Sequence, residues 1–487
     1  MYRNTFDDGV VRLFLLAAAV WGLAGMSIGV LAAAQLAWPA LNTELPWLSF
    51  SRIRPAHTFA VIFAFGGSAL MGTCYYVVQR TGHVRLALGR LARFTFWGWQ
   101  LACLLAIVTV PLGFTQNKEY AEPEWPIDLL IAVVWIAFGA VFFTTLARRR
   151  IRHIYVANWY YGAFIIAVGL LHVVNNLVVP VSLAKSYPIY SGVVDAMVQW
   201  WYGHNAVAFF LTAGFLGMMY YFVPRQARQP LWSYRFSIVN FWALISIYMW
   251  AGSHHLLYTA LPDWVQSVGM AFSLVLLMPS LGSAANGLLT FNGSWRRVWA
   301  DPAAKFMVLA LVFYGASTFE GSMMAIKSVN SLSHYTDWTI AHVHSGSIGW
   351  VAMITIGSLY AMAPRALGRP EMHSIAAIEL HFWLHTGGLL LYVVSMWIAG
   401  VTAGVMWRAT LPDGTLAHSF LASLDAVRPY YVARFVGGLM VVSGMAVMAW
   451  NLWHTAAQAR ARLIVPVPIP VPEPVQHQVP APLPATV

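Results

Sequence analysis

Charge is what this 487-residue chain has least of. Asp, Glu, Lys and Arg make up 9% of it, against 59% hydrophobic residues. Soluble domains carry about 25% charged residues, so a chain this poor in them cannot cover a globule with a hydrated surface. A soluble globular protein is excluded and a multi-span membrane protein remains. Cysteine is nearly missing too: Cys74 and Cys103 both lie in apolar runs and read as small packing residues. There is no Cys-x-x-Cys-His string, which excludes a c-type haem attached to this chain. A cleavable signal peptide is not expected, because the first ten residues carry Asp7 and Asp8 and the first apolar run ends at Trp38-Pro39 without a small-residue cleavage site. No repeat of fixed period is visible. The net charge of +11 does not point to nucleic acid, since the basic residues fall between apolar runs.

Long apolar runs are what the chain has in abundance. Twelve spans are predicted, near 11–37, 56–79, 94–115, 127–147, 154–179, 193–223, 234–259, 265–291, 304–326, 339–363, 374–403 and 429–455. Each is close to or above the roughly 20 residues that a helix needs to cross a bilayer. The expected fold class is all-α and polytopic, with one domain over 1–459 and a Pro-rich tail over 460–487. In that tail, from Ile464-Val465-Pro466-Val467-Pro468 onward, proline recurs at about every second residue, which predicts an extended, polyproline-like or disordered segment. Alternate loops hold Arg80, Arg85, Arg90, Arg93, Arg148, Arg149, Arg150, Arg152, Arg225, Arg228, Arg235, Arg296, Arg297, Lys305, Arg365 and Arg369. The opposite loops hold only Arg52, Arg54, Lys118, Lys185, Lys327, Arg408 and Arg428. The positive-inside rule then puts both termini and the tail on the cytoplasmic side of the membrane.

Histidine gives the chain its chemistry. In Thr339-Ile340-Ala341-His342-Val343-His344-Ser345-Gly346 two histidines stand two residues apart in a predicted span. On an α-helix that spacing turns them about 200° from each other, so one helix can serve a flat cofactor on each face. His57, His204, His254 and His255 fall at a similar depth on three other spans, in the outer half of the membrane. Ionisable groups there are costly unless they face partners, and six at one level point to metal or haem ligation. Adjacent His254 and His255 can converge on one metal if the helix loosens, and Gly252 would help. A third imidazole from another span completes a three-His site with an open position, which suits copper. Three histidines then remain for haem, two as the axial pair of an electron carrier and one on an iron left open toward the copper.

The chain resembles the catalytic subunit of the cbb3-type cytochrome c oxidases, the C-type haem–copper oxidases. The strings that carry the resemblance span about residues 10–455: Arg54-Pro55-Ala56-His57, Ala64-Phe65-Gly66-Gly67, Gln199-Trp200-Trp201-Tyr202-Gly203-His204-Asn205, Tyr258-Thr259-Ala260-Leu261-Pro262-Asp263-Trp264, Ser317-Thr318-Phe319-Glu320-Gly321 and Ser333-His334-Tyr335-Thr336-Asp337-Trp338. It implies His57 and His344 as axial ligands of a low-spin haem b, His342 as proximal ligand of a high-spin haem b, and His204, His254 and His255 as holders of copper B. It implies that Tyr248 is joined covalently to the copper-ligand histidine of span 6 and donates an electron and a proton. It places Glu119 and Glu122, near Arg52 and Arg54, where haem propionates and a calcium ion sit, and gives Glu320 a proton-linked role by the high-spin haem. Tyr220 and Ser237 become candidates for a proton path from the cytoplasm. Mono-haem and di-haem c-type cytochrome subunits would donate the electrons, with O2 reduced to water and protons translocated.

Three positions depart from the family's pattern. Ser253 stands where proline is expected, and Leu257 and Asn240 where histidine is expected; the last bears on proton entry. Two other functions compete. A nitric oxide reductase would carry non-haem iron, lack the tyrosine at Tyr248 and need extra glutamates around its iron. A di-haem cytochrome b that only carries electrons would have no use for His204 together with His254-His255.

Overall fold

The computed structural model describes residues 6–116 and 118–460, so nearly all of the proline-rich tail expected over 460–487 lies outside the described residues. Among those residues, twelve helices are long and apolar enough to cross a membrane. In chain order these spans 1–12 are Gly9–Ala37, Phe50–Gly82, Gly89–Thr109, Trp125–Ala147, Val156–Asn175, Gly192–Ala227, Tyr234–Leu256, Asp263–Leu289, Pro302–Met324, Asp337–Ala366, Ile375–Arg408 and Phe420–Gln458. The all-α, polytopic class and all twelve expected spans are present.

Two features depart from the sequence expectation. Span 12 begins well before Pro429, which reads as its start in the sequence but lies inside the helix. Proline costs a helix one backbone hydrogen bond, a loss that neighbouring groups offset in membrane bundles. Between spans 5 and 6 the chain forms a small antiparallel hairpin, β1 Val178–Ser182 against β2 Lys185–Pro188. Strands this short carry too little period-2 pattern to be read from sequence.

Burial sorts the spans. The most apolar stretches of spans 2, 6 and 10 are 89%, 83% and 78% buried, against 61% or less in every other span. A helix apolar on all sides and buried on all sides is a central one. These three carry His57, His204 and the His342/His344 pair. Each of them also changes winding just past its histidines, into π-helix over Ala60–Gly67, Val207–Ala213 and Ser345–Ala352. Such local widening re-aims side chains and frees carbonyls, and it is common beside functional sites.

Candidate metal centres

Span 7 does not run through as one α-helix. Its α-helical part ends at Tyr248, and after a turn Gly252–Leu256 forms a 3-10 helix that carries His254 and His255. A Cβ on Gly252 would lie 2.9 Å from the Trp200 carbonyl oxygen, so the turn crosses span 6 at a distance that only glycine permits. The expected loosening at Gly252 is therefore present. Tyr248 and His255, seven residues apart, would share one face of a continuous α-helix, but the α-helix stops between them. His204 comes in from span 6. One ligand atom from each of His204, His254 and His255 lies within 4.8 Å of the others. The His254 ring centre is 4.7 Å from that of His204 and 4.3 Å from that of His255, and the His255 ring stacks on Trp200 at 4.2 Å.

The proton positions in this trio follow from its partners. Ser273 Oγ lies 2.6 Å from the Gly269 carbonyl and 2.5 Å from His254 Nδ1. A carbonyl only accepts, so the single hydroxyl proton goes to Gly269. The serine oxygen must then accept from His254 Nδ1–H, and His254 Nε2 is left as a bare lone pair. His204 Nε2 is buried without a partner. An uncompensated imidazole nitrogen at this depth is costly, and a metal would satisfy it. Ser273 carries no sequence signal, since a serine in an apolar helix is common; Trp200 shows in the sequence only as part of the string around His204 and not at a ligand-like spacing.

The other three histidines also present Nε2. His57 Nδ1 meets the Gly25 carbonyl at 2.8 Å, and a Cβ on Gly29 would collide with the ring, so span 1 is cut away to admit it. His344 Nδ1 meets the Ile340 carbonyl at 2.8 Å, while its Nε2 receives the Tyr392 hydroxyl at 3.2 Å. An iron bound there would replace that contact. His342 faces the other way, as its spacing from His344 predicts: its Nδ1 lies 3.3 Å from Glu320 Oε2 on span 9. Glu320 also accepts from Trp338 Nε1 at 3.0 Å, Trp397 Nε1 at 2.5 Å and Ser345 Oγ at 3.3 Å. With one ring nitrogen held by an acceptor, each imidazole is fixed in the tautomer that ligates through the other. These residues fit two haems and a copper.

At the rim of the same end the four expected residues separate. Arg54 pairs with Glu119 at 3.1 Å, and Arg52 donates to the Pro111 carbonyl at 3.2 Å. Glu122 is buried. Its Oε1 accepts from Tyr120 N–H at 3.2 Å and its Oε2 has no partner. Burial pushes its carboxyl up to about 7.

Tyr248 is buried, its ring 5.7 Å from that of His204 and its hydroxyl 3.5 Å from Thr212 Oγ1. Of the two expected proton-path residues, Ser237 donates to the Tyr234 carbonyl at 2.6 Å, while Tyr220 stacks on Tyr160 and its hydroxyl is unpartnered. The hydroxyls of Tyr160, Tyr314 and Ser280 and the amide nitrogen of Asn240 are likewise buried and unpartnered. Buried polar groups without protein partners are where internal water resides.

The chain matches the family described as "Cytochrome C and Quinol oxidase polypeptide I" over residues 9–440. It is 61% identical over 457 residues to the cbb3-type cytochrome c oxidase subunit CcoN1 of Stutzerimonas stutzeri, covering 94% of this chain and 96% of that protein. It is 53% identical to cytochrome c oxidase subunit 1 of Rhodobacter capsulatus, covering 94% and 87%. Similarity to a nitric oxide reductase chain of Stutzerimonas stutzeri falls to 25% identity, covering 82% and 85%. Among solved structures, a heme-copper terminal oxidase dimer shares the fold with a TM-score of 0.76 at 14% identity, covering 92% of this chain and 84% of that one.

Proposed function

Since this chain belongs to the cytochrome c and quinol oxidase polypeptide I family, as a catalytic subunit of the cbb3-type cytochrome c oxidases, we propose that it reduces O2 to water between copper on His204, His254 and His255 and a high-spin haem b on His342. A low-spin haem b would lie between His57 and His344. The observation that carries this reading is the convergence of three imidazoles from two spans, with His254 Nε2 held as a lone pair and His204 Nε2 unpartnered. The family implies haem and copper, and an oxidase subunit of this kind works in a membrane with other subunits.

Bound to these ligands, haem iron and copper would supply the electrons and the open coordination positions for O2. The chain's own residues do the rest. Glu320, saturated with donors, orients His342 and strengthens it as a ligand; its four contacts favour this positioning role over the proton-linked one. Tyr248 stands beside His204 as a phenol able to give a proton and an electron. Tyr220, Tyr160, Asn240, Ser280 and Tyr314, with water between them, form a route by which protons reach Tyr248 from the cytoplasmic side. Asn240, buried in that file, takes the place of the histidine expected there and carries protons only through water. Arg52 and Arg54 would face haem propionates. The free oxygen of Glu122 suits a calcium ion, a hard cation that prefers oxygen ligands, better than the paired Glu119 does. Mono-haem and di-haem c-type cytochrome subunits are the fitting electron donors. The loop charges support both termini on the cytoplasmic side; the inner membrane and outward proton movement belong to the oxidase reading.

Two expected results test the ligand sets. His57→Ala removes one of two axial imidazoles, so the six-coordinate low-spin signal should vanish from the reduced-minus-oxidised spectrum while copper content stays; a surviving signal sinks the pairing of His57 with His344. Ser273→Ala leaves His254 Nδ1–H without its acceptor. The loss of such a partner costs about 10–100-fold in metal affinity, so a chelator should strip copper from the variant at a correspondingly lower concentration. An unchanged chelator titration would show that Ser273 does not set the tautomer of His254.

A further inference from the structure

Two histidines outside these centres are completely buried. His381 and His385 lie one turn apart on span 11, each 0% exposed, with ring centres 5.7 Å apart. Each ring has one nitrogen engaged and the other bare. His381 Nδ1 lies 2.9 Å from the Tyr360 hydroxyl of span 10, and its Nε2 has no partner. His385 Nε2 donates to the Ile348 carbonyl at 3.4 Å, and its Nδ1 has no partner. Ile348 belongs to the π-helical stretch that directly follows His344. Two unsatisfied imidazole nitrogens inside a membrane bundle are costly, and buried polar groups of this kind are where internal water resides.

The surroundings hold no compensating charge. Span 9 presents Phe306, whose ring is 5.0 Å from that of His381, and next to it Lys305, which is neutralised by Glu379 of span 11 at 2.6 Å. Span 12 crosses at Gly444, where a Cβ would lie 3.3 Å from His381 Nε2. Span 10 contributes Tyr360. Among the described residues, beyond that tyrosine and the Lys305–Glu379 pair, the ionisable group beside each histidine is the other one.

The same face of span 11 leads toward the haem side. Tyr392, seven residues past His385, stacks on His344. Seven residues of α-helix are about two turns and roughly 10 Å.

We propose that Tyr360, His381 and His385 form a hydrated proton-exchange site whose proton occupancy rises, by a fraction of a proton taken from the cytoplasmic side, when the low-spin haem is reduced. The electron arrives from a c-type cytochrome; the proton adds to a bare imidazole nitrogen and leaves again when the electron moves on. Imidazole suits this exchange because it can accept at one nitrogen and release at the other. This rests on the low-spin haem being held by His344. At an effective dielectric constant of about 20, unit charges roughly 12 Å apart change each other's equilibria about tenfold.

The test is the pH dependence of the low-spin haem midpoint potential in the purified complex. A tenfold coupling to a one-electron step is about 59 mV. That component of the fall in midpoint with rising pH should be present in the wild type and absent from His381→Gln and His385→Gln. Superimposed wild-type and variant curves, with the low-spin signal and O2 turnover intact, overturn the proposal. In wild-type enzyme labelled with ring-15N histidine, the reduced-minus-oxidised infrared spectrum should gain an imidazolium band. Its absence overturns the proposal even where a variant fails to assemble. Failure of the haem assignment is seen separately, as a low-spin signal that survives His57→Ala.

Discussion

Tyr248→Phe is expected to keep both haems and copper and to lose O2 reduction by about 100-fold or more, the scale at which a positioned proton donor contributes to a rate. Taking O2 to water requires four electrons and four protons, and a group beside the metals can give one electron with one proton on the spot when the low-spin haem has none to deliver. A phenol supplies both, and its usual pKa near 10 keeps it protonated until needed. Tyr248 is the tyrosine whose ring lies beside His204, and the buried hydroxyls of Tyr314 and Ser280 offer a way to reprotonate it. The substitution removes one oxygen atom and keeps the ring, so the packing that holds the trio should survive. The family resemblance implies a covalent bond between Tyr248 and His204, whose rings are neighbours; it would form by oxidative coupling in which O2 accepts the two hydrogens lost. Peptide mass spectrometry of active enzyme should find the span 6 and span 7 fragments joined. Separate peptides would remove the cross-link, and an active Phe variant would remove the donor role.

His255→Ala is the second large effect. It deletes one of three copper ligands and the ring stacked on Trp200. Loss of a partner one shell further out costs about 10–100-fold in affinity, so losing the ligand itself should exceed that and empty the site at ordinary copper levels. O2 reduction should be abolished. The low-spin haem spectrum should remain, because His57 and His344 are held by other spans, through Gly25 and Ile340. Normal turnover in this variant would rule out the copper site, and loss of the low-spin signal would mean that the effect is on folding.

The parts of this arrangement differ in how they show in sequence. The twelve spans are legible because apolar length is a strong local signal. The six histidines are legible because an ionisable group at that depth is expensive and calls for a reason. The opposition of His342 and His344 follows from helix geometry alone. What needed the structure is whatever depends on contacts between spans. Ser273 is an ordinary serine until His254 is seen against it, and Glu320 is a lone carboxylate until its four donors are seen around it. The π-helical stretches past His57, His204 and His344 leave no compositional trace. The 3-10 turn after Gly252 is equally silent in the sequence, so where the α-helix of span 7 stops could not be read from it. His381 and His385 are buried more completely than the other six. Their i, i+4 spacing on one span nevertheless reads as a helix seam and supplies no flat-cofactor geometry.

The measurement that bears most directly on the central claim is a metal and haem count on the purified complex, expressed per copy of this chain. Two haems b and one copper are the predicted result, beyond any c-type haem carried by other subunits. Non-haem iron in place of copper would make His204, His254 and His255 the iron site of a nitric oxide reductase. Two haems with no third metal would leave only an electron carrier, and either result would contradict the assignment.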